Sequence, residues 1–285
     1  MRKTAIVSDS TCDLTKELLE RYHIHIIPLH VLLGDKEYRD GEDITVQEIY
    51  AWADANRTTP KTSAVSVEDS CTVIREALEE AEEVVCFALG EKISASAKMM
   101  RLAIEELGVE DRVFVVDSMN LSTGIAQLVI EGCLMADQGM CAKDIVTEVE
   151  KIRPFVRSSF TVDTLRYLYR GGRCSGLSMV AGTALKLHPR ISVVDGVLYP
   201  GKKYRGRLPK AINAYVDDLL PELQDARPER VFITHSCCDD VIIQNVKQKL
   251  ENLHHFKEIH VTVTGSVISC HCGPGTLGVL FIANS

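Results

Sequence analysis

The chain has 285 residues, 46% of them hydrophobic and 25% charged, the proportions of an ordinary globular protein rather than a disordered or fibrous one. A net charge of −8 argues against a nucleic-acid partner, which needs a basic face to neutralise phosphates. No apolar run approaches the roughly 18 uncharged residues of a membrane helix, and Ala5–Val7 is too short for a signal-peptide core, so we expect a cytoplasmic protein whose ten cysteines stay reduced.

Taken from the start, Thr4–Val7 is a short β-branched run. Ser10, Thr11 or Asp13 follows as a candidate cap for a helix through Leu18–Arg21. Ile24–Leu33 is a second apolar run, broken by Pro28 and closed by a turn at Gly34-Asp35. Helical periodicity marks Thr45–Ala55 and Val67–Glu82, then Ala95–Leu107, Ser122–Gln138 and Ala142–Ile152. Val84–Leu89 and Val113–Val116 read as buried strands between them. Strands alternating with helices of this length predict crossover units and a mostly parallel sheet covered on both faces, a three-layer α/β/α lobe.

Beyond Arg153-Pro154 the pattern changes. Asp195-Gly196, between Ile191–Val194 and Val197–Tyr199, is a hairpin signal. Strands are expected at Arg230–Thr234, Glu258–Thr264 and Leu277–Ile282, and helices at Leu208–Leu220 and Val241–Leu253. These predict a second α/β lobe with a mixed sheet and a single boundary, giving domains 1–156 and 157–285.

Ligands of open parallel sheets bind beyond the carboxyl ends of the strands. Three polar loops occupy such places: Ser8-Asp9-Ser10, Thr62-Ser63 and Ser94-Ala95-Ser96. Hydroxyls and backbone amides at helix starts suit a carboxylate or phosphate, although each loop is equally a routine helix cap. Further on, Ser269-Cys270-His271-Cys272-Gly273-Pro274-Gly275 puts His271 on a glycine-rich bend between two strands, where glycine permits close backbone approach. Zinc at Cys270 and Cys272, with Cys237 and Cys238, is an alternative, but Cys-x-Cys departs from the usual structural zinc spacing. Lys202, Lys203, Arg205 and Arg207, with Arg170 and Arg173, form either a solvated face or a docking surface for an acidic or phosphate-bearing partner. Arg173 follows Gly171-Gly172, a bend that can bring a guanidinium to a carboxylate. An acyl hydrolase with Ser94 as nucleophile, His271 as base and Asp9 or Asp117 as orienter has the residue types it needs. It lacks the G-x-S-x-G elbow, and the phosphate-binding and dinucleotide-binding glycine signatures are missing too.

In order and spacing these segments resemble the DegV family of bacterial fatty-acid-binding proteins. The carrying residues are Ile6-Val7-Ser8-Asp9-Ser10 with Asp13-Leu14, Ile27-Pro28-Leu29, Tyr38-Arg39-Asp40-Gly41 and Lys61-Thr62-Ser63. Ile93-Ser94-Ala95-Ser96, Val116-Asp117-Ser118, Thr164-Leu165-Arg166-Tyr167-Leu168, Gly171-Gly172-Arg173, Lys203-x-Arg205 and His271 with Gly273-Pro274-Gly275 complete it. The resemblance implies a two-lobed DegV-like fold that binds a long-chain fatty acid in an apolar tunnel, without a cofactor and without catalysis of its own. It implies that Thr62, Ser63, Ser94, His271 and Arg173 hold the carboxylate where the lobes meet. It also implies a separate ATP-dependent fatty acid kinase as partner, docking near Lys203, Arg205 and Arg170. The family commonly has glycine where this chain has Ala95, which bears on the tunnel's shape.

Overall fold

The computed structural model describes residues 2–173 and 187–284, which divide into two compact units. One comprises Met1–Ile44 and Thr62–Pro154, the other Thr45–Lys61 and Phe155–Ser285. The expected single boundary at 156 is thus displaced to 154/155, and Thr45–Lys61 belongs with the later residues. The reason is long-range packing: helix α2 (Val46–Asn56) lies against a helix near the C-terminus, a contact no local pattern announces.

The first unit contains strands β1 (Arg2–Asp9), β2 (Ile24–Ile27), β3 (His30–Leu33), β4 (Lys36–Arg39), all but the first residue of β5 (Lys61–Ser63), β6 (Ala81–Ala88) and β7 (Val113–Asp117). Four of them form a parallel sheet in the order β2-β1-β6-β7. Its helices are α1 (Lys16–Tyr22), α3 (Val67–Glu80), α4 (Ser96–Leu107), α5 (Thr123–Asp137) and α6 (Ala142–Ile152). Helices α3 and α4 pack together on the sheet, as do α5 and α6. Both pairs cover β6, so they occupy opposite faces and bury it from both sides. Val84, Val85, Cys86 and Phe87 are accordingly fully buried, which explains why β6 reads as a continuous apolar run. Each such aliphatic side chain contributes about 2 kcal/mol of transfer free energy.

Local chemistry sets the helix starts. Thr15, not Ser10, Thr11 or Asp13, caps α1 by accepting from Leu18 N. Ser10–Cys12 instead form a short 3₁₀ turn whose cap is Asp9. Thr45 and Glu48 make a reciprocal capping box on α2, satisfying amides the helix leaves open. Strands β4-β3-β5 make a small separate sheet, with β3 and β4 turning at Gly34-Asp35.

The second unit is built on a six-stranded mixed sheet. Its strands are β8 (Val156–Thr161), β9 (Leu187–Val194), β10 (Val197–Arg205), β11 (Arg230–Ser236), β12 (Glu258–Val263) and β13 (Thr276–Ile282). The order is β10-β9-β8-β13-β11-β12, antiparallel except for the β11–β12 pair. The β9–β10 hairpin turns at Asp195-Gly196, both at positive φ (48° and 75°), as a primed turn requires. Helices α8 (Leu208–Gln224) and α9 (Asp240–Glu251) cover one core, where Tyr215, Ile212, Val231, Val279 and Phe281 are buried. The Tyr215 hydroxyl donates to Ser159 O (2.7 Å) and accepts from Val279 N (3.1 Å), as a buried hydroxyl must. Two short helices, α7 (Arg166–Gly171) and α10 (Ser266–Cys272), pack on each other, and α2 packs on α10. Among the described residues no helix is long and apolar enough to cross a membrane.

Candidate functional site

In the first unit the candidate groups cluster where the parallel strands end. Asp9, the last residue of β1, is fully buried and accepts from Leu89 N (2.7 Å), Thr11 N (3.1 Å) and the Thr11 hydroxyl (2.5 Å). Burial nonetheless wins over these three bonds and raises its pKa from 3.8 to about 6. Ser10 Oγ donates to Asp40 (2.8 Å) and accepts from Leu29 N (3.1 Å), tying the loop after β1 to the chain after β2. Asp117, ending β7, accepts from Met119 N (2.9 Å) and Glu91 N (3.1 Å). Both carboxylates brace neighbouring loops.

Ser94 lies in the loop between β6 and α4. Its amide bonds Gly90 O (3.0 Å), and its hydroxyl is 3.0 Å from Ser96 Oγ and accepts from Ser96 N at 3.3 Å. The N-cap itself is Ala95, which contributes no side-chain bond. Ser94 therefore acts one residue early as the substitute cap, while staying half-buried with Ala95 exposed beside it. The hydroxyl can rotate from Ser96 towards an anion at the positive end of α4. Thr62 is half-buried and Ser63 exposed on β5, an end strand of the small sheet. The following Ser66 caps α3 by accepting from Asp69 N (2.9 Å).

In the second unit His271 sits in the last turn of α10, not on a bend between strands. The stretch Ser266–Cys272 is a helix, and successive residues point about 100° apart on it. Burial, and secondarily the positive charge of Arg173, push the His271 pKa down from 6.5 to about 4. The ring is therefore neutral at pH 7, with one N–H to donate and one lone pair to accept. Arg173 is exposed and donates from Nη1 to Gly171 O (2.7 Å). Gly171 is not part of a loose bend but the last residue of α7, and Gly172 takes the left-handed cap (φ 66°).

A run of hydroxyls lies beside α10. The Tyr50 hydroxyl is 2.5 Å from Ser236 Oγ, Ser236 is 3.1 Å from Ser269 Oγ, and Ser269 is 2.7 Å from Thr264 Oγ1. Desolvation raises the Tyr50 pKa far above its usual value, so it remains a neutral phenol. Nothing local in the sequence marked Tyr50 or Ser236 as part of a site, and Tyr167 stood out only within the segment Thr164–Leu168 that carries the family resemblance. Lys203 and Arg205 are exposed on β10, either side of buried Tyr204, and Arg170 is exposed on α7. Lys202 differs, since it is paired with Asp218 at 2.6 Å.

The buried Cys270 and Cys272 flank His271. Among the described residues, no three histidine, cysteine or carboxylate side chains are grouped so as to hold a metal ion. The hydrogen bonds accepted by Asp9 and Asp117 come from backbone amides and from the Thr11 hydroxyl.

Comparison with known proteins agrees with this architecture. A family model described as "Uncharacterised protein, DegV family" matches residues 3–284. A DegV domain-containing protein of Deinococcus radiodurans is 30% identical over 275 residues, 96% of each chain. Another, from Clostridium acetobutylicum, is 30% identical over 283 residues, 99% of each. A structure reporting fatty acid binding by a DegV family protein from Thermus thermophilus superposes with a TM-score of 0.89 at 31% identity, covering 99% of this chain and 100% of that one. A stearic acid-binding protein from Eubacterium ventriosum superposes at 0.84 with 29% identity, covering 99% and 98%. With nearly every residue matched in order and the same α/β fold, this chain belongs to the DegV family.

Proposed function

We propose that this protein is a non-catalytic carrier of a long-chain fatty acid. The hydroxyls of Thr62, Ser63 and Ser94, the imidazole of His271 and the guanidinium of Arg173 would serve the carboxyl head. The observation that carries the reading is the full-length likeness to the Thermus thermophilus and Eubacterium ventriosum proteins, both described as binding fatty acids. The chemistry of the residues supports it. Ser94 offers a rotatable donor at a helix start, and His271 is a neutral donor beside a guanidinium. A carboxylate removed from water needs such donors. The acyl chain supplies the affinity, at about 0.8 kcal/mol per buried CH₂. No step of bond making or breaking is required of these groups.

The finer part of the proposal is delivery. The exposed cations Lys203, Arg205 and Arg170 suit a docking surface for a separate kinase that phosphorylates the carboxylate with ATP. Charged rims of this kind act mainly on association rate and on salt dependence.

Native mass spectrometry of the freshly purified protein, followed by denaturing extraction, tests the carrier reading. A stoichiometric fatty acid that exchanges with added oleic or stearic acid is the expected result. A chain that is empty and takes up neither acid would overturn it.

A further inference from the structure

Helices α7 and α10 meet through two rings and two glycines. A Cβ built on Gly171 would fall 2.3 Å from Nδ1 of His271 and 3.1 Å from its Cε1. A Cβ built on Gly273, just past α10, would fall 2.4 Å from Cδ2 of Tyr167. Each helix therefore seats an aromatic ring on a glycine belonging to the other. Real Cβ contacts do not come this close, so any side chain at either glycine must displace the ring. On its other side Tyr167 meets Tyr50 of α2 edge-on, with centroids 5.9 Å apart and planes at 78°. Tyr50 is itself held through its hydroxyl by Ser236.

The two glycines differ in one respect. Gly273 has φ 78° and ψ 169°, a region that essentially only glycine enters, so backbone conformation alone explains it. Gly171 closes a right-handed helix and has no positive φ. Nothing in its backbone asks for glycine, and alanine would favour the helix. What forbids a side chain there is the imidazole.

We propose that Gly171 is a positioning residue for His271: its missing side chain lets the imidazole lie against the α7 backbone, and the reciprocal seating of Tyr167 on Gly273, braced by Tyr50, leaves the ring one orientation from which to meet a carboxyl group. This rests on the reading of His271 as a head-group donor, but the seat itself does not. The charged or titratable groups facing the ring from α7 and its end are Arg173 and, through Tyr167, Arg170 and Arg166; Cys270 and Cys272 flank it on α10.

The test is a cycle of Gly171→Ala, His271→Ala and the double variant in the full-length protein. It is read by the imidazole resonances of His271 through a pH titration and by binding of a fluorescent fatty acid. In G171A the ring should be displaced into water, so that its titration moves from about 4 towards the ordinary histidine range. Fatty-acid affinity should fall about tenfold, the worth of one charge-assisted hydrogen bond. In the H271A background the same change should alter affinity by less than about twofold, because coupled residues are not additive. Should G171A fail to fold, the double variant, with the ring removed, should fold. Unchanged His271 resonances in G171A, an equal loss of affinity in both backgrounds, or failure of the double variant to fold would each overturn the proposal. If the native protein binds no fatty acid, the titration still decides the seat, and the failure lies with the carrier reading.

Discussion

Ser94 in the first unit and His271 in the second are held in place by opposite means. Ser94 is bonded by residues within four positions of it, through Gly90 O and Ser96 N. His271 is fixed by a helix a hundred residues earlier and, behind that, by Tyr50 from α2. The buried ionisable groups of the two units contrast as well. Desolvation raises Asp9 and lowers His271, so each is driven towards its neutral form. The first unit places Ser94 by local backbone bonds. The second places His271 by tertiary packing, where a Cβ on Gly171 would meet the ring.

The contrast breaks most readily at Gly273. Gly273→Ala should lose about 4 kcal/mol of stability in urea unfolding, the sum of a glycine-only backbone and an overpacked ring; a loss below about 1 kcal/mol would mean that the α7–α10 contact is soft. The pH dependence sharpens it next. The folded pKa of His271 lies below its unfolded value, so its contribution is complete above pH 6.5 and is lost as pH falls towards 4. Asp9 has a folded pKa above its unfolded value, so its contribution is complete below 3.8 and is lost as pH rises through 6. The two slopes oppose each other, each amounting to about 3 kcal/mol. His271→Gln should therefore flatten the loss of stability between pH 6.5 and 4, and Asp9→Asn should steepen it, as measured by denaturation at a series of pH values. Equal curves for both variants would remove the distinction. The smallest effect belongs to Ser94→Ala, which should lower stability by about 1 kcal/mol, a cap's worth, with the circular dichroism spectrum unchanged. A loss several times larger would show that Ser94, too, is held by more than its neighbours.

The same division governs what could be read from the sequence. β6, α3 and α4 emerged within a few residues of their ends, because burial on both faces or a long amphipathic stripe leaves a periodic signature. The Asp195-Gly196 hairpin emerged because its turn demands positive φ. α7 and α10 did not, being too short at six and seven residues to show two turns of periodicity. β8, whose six residues are buried on nearly every position, was not picked out as a strand, because Ser158 and Ser159 stand in its middle. The cap of α1 was placed at the wrong residue because four hydroxyl or carboxylate residues stand in a row there, and only the 3₁₀ turn decides among them. Ser94 and Thr62 were singled out as hydroxyls expected in loops, but Thr62 lies on β5, and His271 was singled out as a histidine among glycines, but it lies on α10. Gly171-Gly172 was read as a bend and the glycines after His271 as room for close backbone approach; Gly172 caps α7, and Gly171 and Gly273 each lie against a ring, contacts that depend on residues distant in sequence.

The assignment of Thr45–Lys61 to the second unit has a consequence for the order of events during synthesis. Tyr50 leaves the ribosome 219 residues before Ser269. At roughly 5–20 residues per second, about 10–40 s pass in which α2 has a hydrophobic face and no place to put it. The surrounding sheet of the first unit can close in that interval, leaving α2 as a tethered excursion that the last strands must find on arrival. A fragment made from residue 155 onwards would inherit the reverse problem, with the hydroxyls of Ser236 and Ser269 folded around a tyrosine that never comes.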